Sequence, residues 1–169
     1  KVADYLKKNF GIKTRLQFIG KGSELDSLKE YSKALNIDSK FLGLVKDRRK
    51  ATENWHFSIV PSIREPLGLV QGEMALLNTI CLSSDIDGIP EMYPHSCNFL
   101  KIKMLKNKEI NLGKENYQYC PTLDKFEQGL IPDIIDCSNK IVELINNPDY
   151  LKKLLKNHKK FILKYFNIN

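Results

Sequence analysis

Two carboxylates in one short stretch carry the chemistry that this chain can offer. Glu65 and Glu73 lie in Ser62-Ile63-Arg64-Glu65-Pro66-Leu67-Gly68-Leu69-Val70-Gln71-Gly72-Glu73, which reads as a loop running into a helix. A helix rises about 1.5 Å per residue, so eight steps would set the two carboxylates roughly 12 Å apart. That span matches a hexose joined through a diphosphate to a ribose. The amides of Leu67 to Val70 open the predicted helix, and free N–H groups at a helix start attract phosphate. Pro66 suits a first helical position, where its missing N–H costs nothing. Gly68 removes a side chain where a ligand must approach the backbone. Read physically, these residues make a cradle for a nucleotide-diphosphate-sugar. Spacing alone favours an ordinary amphipathic helix with a solvated Glu73 and a surface Glu65, so the context has to decide.

That context is an alternation of strand and helix periods. Residues 2–10 read as helix and 16–19 as a short strand ending at Gly20-Lys21-Gly22. Ser23 is the expected cap of a helix with Leu25, Leu28, Tyr31 and Leu35 on its apolar face. Strands follow at 40–45, 56–60, 79–83 and 98–102, with a short helix at 47–54 and the Glu65 helix running to Leu77. Alternating elements predict an α/β domain with a doubly wound parallel sheet. Ligands of such sheets sit at the carboxyl ends of the strands, where the glycines and both glutamates fall. From Lys103 to Ile131 the pattern dissolves into an irregular polar insertion, and loops of that length are usually functional or mobile. Pro132 is expected to start a helix, and a last helix runs from about Asp149 to Phe166.

A length of 169 residues fits one domain with a single core. The charge of +7 favours anionic partners, although a solvated lysine-rich surface explains it equally well. Four cysteines without a C-x-x-C pair fit a reducing compartment, so the expected location is cytoplasmic, and three of them read as small buried hydrophobes. No run of apolar residues is long enough for a transmembrane helix. The chain opens inside a helical pattern without a start methionine, which suggests an excised domain.

The segment Pro61, Ser62, Glu65, Gly68 and Glu73 resembles the signature of retaining glycosyltransferases of family 4. Those enzymes have the two-domain GT-B architecture and use nucleotide-sugar donors. Three further elements agree in order: Gly20-Lys21-Gly22, Phe41-Leu42-Gly43-Leu44-Val45, and the Gly88-Ile89-Pro90-Glu91 loop. The resemblance implies a Rossmann-like half-domain that binds the donor. Glu65 would be catalytic, holding donor-sugar hydroxyls and stabilising charge at the reacting carbon. Glu73 would bind the ribose. Pro66, Leu67, Gly68, Leu69 and Val70 would hold the diphosphate, and Gly20 and Gly22 would belong to the donor-binding glycine turn that follows an early strand. Leu44 and Val45 would meet the base.

No cofactor and no obligate metal are implied. The acceptor, a saccharide or a lipid-linked one, would be read by an N-terminal domain outside this sequence. The basic first strand that neutralises the diphosphate in this family is expected to lie before Lys1. The biological setting implied is bacterial surface-polysaccharide or glycolipid synthesis, with no nucleic-acid partner.

Other features are weaker. Asp85-Ile86-Asp87 matches a metal-holding D-x-D pattern, but a turn-capping role for either carboxylate is preferred. His56 and His158 read as structural, and His95 lies near the expected cleft. Lys21, Lys46 and Arg64 either contact phosphate or face solvent. The lysine-rich final helix is either a solvated face or a peripheral contact with the inner face of a membrane. Two rival functions stay open: a nucleotide-sugar epimerase of the same fold, and a non-catalytic nucleotide-binding domain.

Overall fold

The computed structural model describes residues 1–107, 117–121 and 124–166. The chain divides into two compact units, Lys1–Glu53 and Asn54–Asn169.

The first unit is a strand–helix–strand framed by two helices. Helix α1 (Val2–Phe10) buries Ala3 and Leu6 and ends at Gly11, whose φ of +68° lets its N–H close back on the Leu6 carbonyl. Strand β1 (Arg15–Ile19) leads through α2 (Leu25–Ala34) to β2 (Asp38–Gly43), and a short α3 (Arg48–Thr52) follows. The two strands pair in parallel, with Phe18 opposite Phe41. Their rings stack with centroids 4.6 Å apart. Asp47, expected as the first residue of this helix, instead caps it by accepting from the Lys50 N–H.

Helix α2 departs from expectation. Its N-cap is Glu24 rather than Ser23, without a side-chain cap bond. The Ser27 hydroxyl donates to the Glu24 carbonyl instead. Leu28 and Tyr31, on the expected apolar face, are exposed.

The second unit is built on a three-stranded parallel sheet: β3 (Phe57–Val60), β4 (Ile80–Ser84) and β5 (Lys101–Ile102), in the order β3-β4-β5. Helix α4 (Leu69–Leu76) joins the first two strands. All five residues of β4 are buried, as expected of a central strand covered on both faces. The strand expected at 98–102 is shorter, because Asn98 to Leu100 belong to a 3-10 turn, His95–Leu100.

Helices α5 (Ile134–Asn146) and α6 (Pro148–Tyr165) complete this unit, and α6 packs on both α4 and α5. Pro132 ends a strand rather than starting α5. The cap of α5 is Asp133, whose carboxylate accepts from the Ile135 and Asp136 amides. Helix α6 turns Leu154, His158 and Ile162 inward at four-residue spacing. Lys152, Lys153, Lys156 and Lys160 are exposed, whereas Lys159 reaches Asn78 at 2.9 Å. Each fully buried leucine or isoleucine of this core contributes about 1.5–3 kcal/mol.

The segment read as irregular contains regular pairing among its described residues. Strand β6 (Met104–Lys106) runs antiparallel to β9 (Leu130–Pro132). Strand β7 (Gln118–Cys120) likewise pairs with β8 (Lys125–Glu127). Three-residue strands are too short to display a period of two, so sequence pattern does not reveal them.

Candidate functional site

The sequence-predicted residues divide between the two units. In the first, Gly20, Gly22, Leu44 and Val45 lie just past the carboxyl ends of β1 and β2. The strand ends are tied together there, since the Gly20 N–H donates to the Gly43 carbonyl at 2.8 Å. Gly20 and Gly43 have φ of +122° and +64°, backbone states that a side chain would strain. The Gly22 carbonyl accepts from the Leu25 N–H at 3.3 Å at the entrance to α2. Leu44 is 72% exposed and Val45 half-buried.

In the second unit, β3 feeds a turn that carries Glu65, and α4 carries Glu73. The helix begins at Leu69, with Gly68 as N-cap at φ +75° and ψ +69°. Pro66 and Leu67 therefore belong to the turn, and Pro66 is not at the first helical position. Helical rise applies only from Leu69 onward, so the 12 Å span drawn from eight helical steps does not describe this loop. Leu69 and Val70 stand in the first turn, whose amides have no acceptor within the helix. The Gly68 amide is engaged by the Glu65 carboxylate, N to Oε1 at 3.3 Å. Glu65 and Glu73 are both half-buried.

The Gly88-Ile89-Pro90-Glu91 loop meets this turn directly. The Gly88 N–H donates to the Glu65 carbonyl at 3.3 Å. The approach is so close that a Cβ on Gly88 would stand 1.7 Å from the Pro66 carbonyl oxygen. Asp87 supplies further bonds, accepting on Oδ2 from the Glu65 N–H at 3.1 Å and from Arg64 Nε at 3.2 Å. Arg64 thus pairs with Asp87, a role outside both readings that its sequence left open, and its side chain stays half exposed. Asp85 faces Lys101, with 3.7 Å between Oδ1 and Nζ. The two carboxylates of the D-x-D pattern therefore go to different cations. Asp87 does not cap its own turn, the role preferred from sequence, but accepts from the amides of two distant segments, Glu65 and Tyr119.

Behind the loop, the 3-10 turn Ile89–Met92 is anchored in the core. The Tyr93 hydroxyl donates to the Cys81 carbonyl at 2.9 Å and accepts from Ser83 Oγ at 2.7 Å. The Tyr93 ring stacks on His158 at 4.6 Å. His158 Nε2 lies 2.8 Å from the Met92 carbonyl, so that nitrogen must carry the proton. Burial pushes the imidazole down to about 4, which keeps it neutral. His158 is structural, as expected, while His56 and His95 are exposed.

Sequence reasoning missed Gln71 and Gln118. Gln71 is wholly buried on α4, and neither amide atom has a partner among the described residues. It lies beneath Gly68, where an added Cβ would meet its Oε1 at 2.5 Å. A glutamine two residues before Glu73, inside an apolar helix, was the available signal.

Comparison with known proteins agrees with this architecture. The family described as "Glycosyl transferases group 1" matches residues 1–107. The chain belongs to the group 1 glycosyltransferases. A solved structure, the C-terminal domain of a glycosyl transferase group 1 family protein (LpcC) from Francisella tularensis, is similar in fold. The likeness has a TM-score of 0.63 at 15% identity, covering 99% of this chain and 78% of that one. It supports the α/β, doubly wound class expected from the alternation of elements. No curated protein matches the chain in sequence. Among the described residues, no helix is long and apolar enough to cross a membrane.

Proposed function

We propose that this chain is the donor-binding half of a retaining, family 4-type glycosyltransferase that moves a hexosyl group from a nucleotide-diphosphate-sugar. The observation that carries the reading is the Glu65–Gly68 turn at the carboxyl end of β3, which opens α4 with a left-handed glycine. The diphosphate would lie against the first-turn amides, where the helix dipole favours negative charge. Glu73 would accept from the two ribose hydroxyls, and Glu65 would exchange the Gly68 amide for hydroxyls of the donor sugar.

In the reaction, the bond between the anomeric carbon and the phosphate oxygen breaks, and its electron pair leaves with the phosphate. The acceptor hydroxyl attacks from the same face and its proton passes to that phosphate oxygen. Configuration is retained without an obligate metal. Catalysis is then positioning plus electrostatic stabilisation of an oxocarbenium-like state. The acceptor would be a saccharide or lipid-linked sugar, met outside this chain at the inner face of a membrane during surface-polysaccharide synthesis.

Calorimetric titration with UDP- and GDP-sugars tests the reading. The expected result is binding to one donor class, weakened about 10- to 100-fold by Glu73→Ala, the worth of one or two charge-assisted hydrogen bonds. Binding unaffected by Glu73→Ala refutes the ribose role. Binding of nucleotides without any preference for their sugar conjugates favours a non-catalytic nucleotide-binding domain.

A further inference from the structure

Asp87 is bound on two sides at once. Its backbone is left-handed, with φ of +46°, a state that aspartate tolerates better than most residues. On one side it faces β7: its N–H donates to the Tyr119 carbonyl at 2.8 Å, and its Oδ1 accepts from the Tyr119 N–H at 3.1 Å. On the other it faces the Glu65 turn, with Oδ2 accepting from the Glu65 amide at 3.1 Å and from Arg64 Nε at 3.2 Å. The side chain is only 16% exposed, so these bonds are largely shielded from competing water.

The neighbouring strand residue adds a second attachment. Gln118, fully buried, donates through Nε2 to the Ile63 and Leu130 carbonyls, and its Oε1 accepts from the Leu130 N–H at 2.7 Å. The short antiparallel pair β7–β8 is therefore fastened to the Glu65 loop at Ile63, Arg64 and Glu65. A turn cap needs one carboxylate oxygen. Asp87 commits both, one to each side, and it does so from a backbone state that few residues adopt.

We propose that Asp87 is the positioning residue for Glu65, and that the β7–β8 pair is the abutment against which it holds the loop. The inference deepens the donor-binding reading and rests on Glu65 facing the donor sugar. Asp87 itself touches no substrate. It fixes the Glu65 backbone, so the carboxylate is presented to the sugar without an ordering cost at each binding event. It also gives the segment after Lys103 a role: its described strands brace the candidate catalytic loop from behind.

The test uses Asp87→Gly, which keeps the left-handed backbone and deletes the carboxylate, and Asp87→Asn, which keeps one acceptor oxygen. Amide hydrogen exchange is read at Glu65 and Tyr119, with the β4 amides as internal reference. Calorimetry compares a UDP- or GDP-sugar with the same nucleoside diphosphate lacking the sugar.

The expected result in Asp87→Gly is joint loss of protection at Glu65 and Tyr119, with β4 unchanged. Sugar-nucleotide affinity falls about tenfold, the worth of one charge-assisted hydrogen bond, and nucleoside-diphosphate affinity stays within about twofold. Asp87→Asn lies between. A general loss of stability would weaken both ligands alike, and that outcome overturns the proposal. Unchanged exchange at either amide overturns it too. Should the unaltered chain bind neither ligand, the donor reading fails, while the exchange measurement still decides whether Asp87 joins loop and strand.

Discussion

Replacing Gly88 with alanine should destabilise the second unit through contact alone. Gly88 has φ of −88° and ψ of −3°, which alanine adopts freely, so any effect comes from contact and not from backbone strain. The added Cβ would stand 1.7 Å from the Pro66 carbonyl oxygen, 2.7 Å from its carbon and 3.3 Å from Leu67 Cα. Real Cβ contacts essentially never fall below 3.0 Å, so the two turns must part by about 1.3 Å. The atoms met are backbone, and no rotamer change relieves them. Parting also stretches the bond from the Gly88 N–H to the Glu65 carbonyl, now 3.3 Å. Overpacking of this kind costs about 1–3 kcal/mol, and the strained bond adds about 1 kcal/mol. A total of about 3 kcal/mol lowers the melting temperature by about 6–12 °C for a chain of this size. Gly22→Ala is the control, since its Cβ would meet nothing within 4 Å. The assay is thermal unfolding followed by circular dichroism, paired with donor titration. A Gly88→Ala protein that melts within about 1 °C of its parent would refute the contact between the two turns.

Three other expectations follow from buried groups. His158 is held neutral at about 4 when folded against an ordinary 6.5, so the unfolded chain binds the extra proton. Its contribution is complete above pH 6.5 and drains away towards pH 4, about 3 kcal/mol in all, and His158→Phe should flatten that part of the urea-unfolding profile. Gln118→Ala strips partners from the Ile63 and Leu130 backbone groups and should cost about 2–4 kcal/mol in urea unfolding; no measurable loss would show that water replaces the amide. Gln71→Met should instead stabilise by about 1–2 kcal/mol, since it removes a buried amide without partners among the described residues, and a destabilised variant would reveal an unseen partner.

The parts of the fold legible in the sequence are those with long or fully buried patterns. Helix α1, helix α6 and strand β4 follow directly from apolar spacing, because burial on one face or on both leaves a readable period. Boundaries were less legible where neighbouring residues compete for one end. Glu24 outdid Ser23 at α2, and the left-handed Gly68 delayed α4 past Pro66. The candidate site was legible as a list of residues at strand ends, while its internal bonding was not. That Asp87 would bridge Glu65 and Tyr119 depends on contacts between segments distant in sequence, which no local pattern encodes. The same holds for Gln71, whose burial is set by the turn folded over it.

All four cysteines, Cys81, Cys97, Cys120 and Cys137, are free, buried and confined to the second unit. Burial raises the thiols of Cys81 and Cys97 to about 11 and that of Cys137 to about 12, so they stay protonated and unreactive while the unit is closed. A thiol reagent therefore reacts only during opening, and its rate at each site times the breathing of one strand, turn or helix. Residues 1–53 contain no cysteine and remain silent in such an experiment. The sequence thus carries chemical clocks in the half that holds Glu65, and donor binding should slow them.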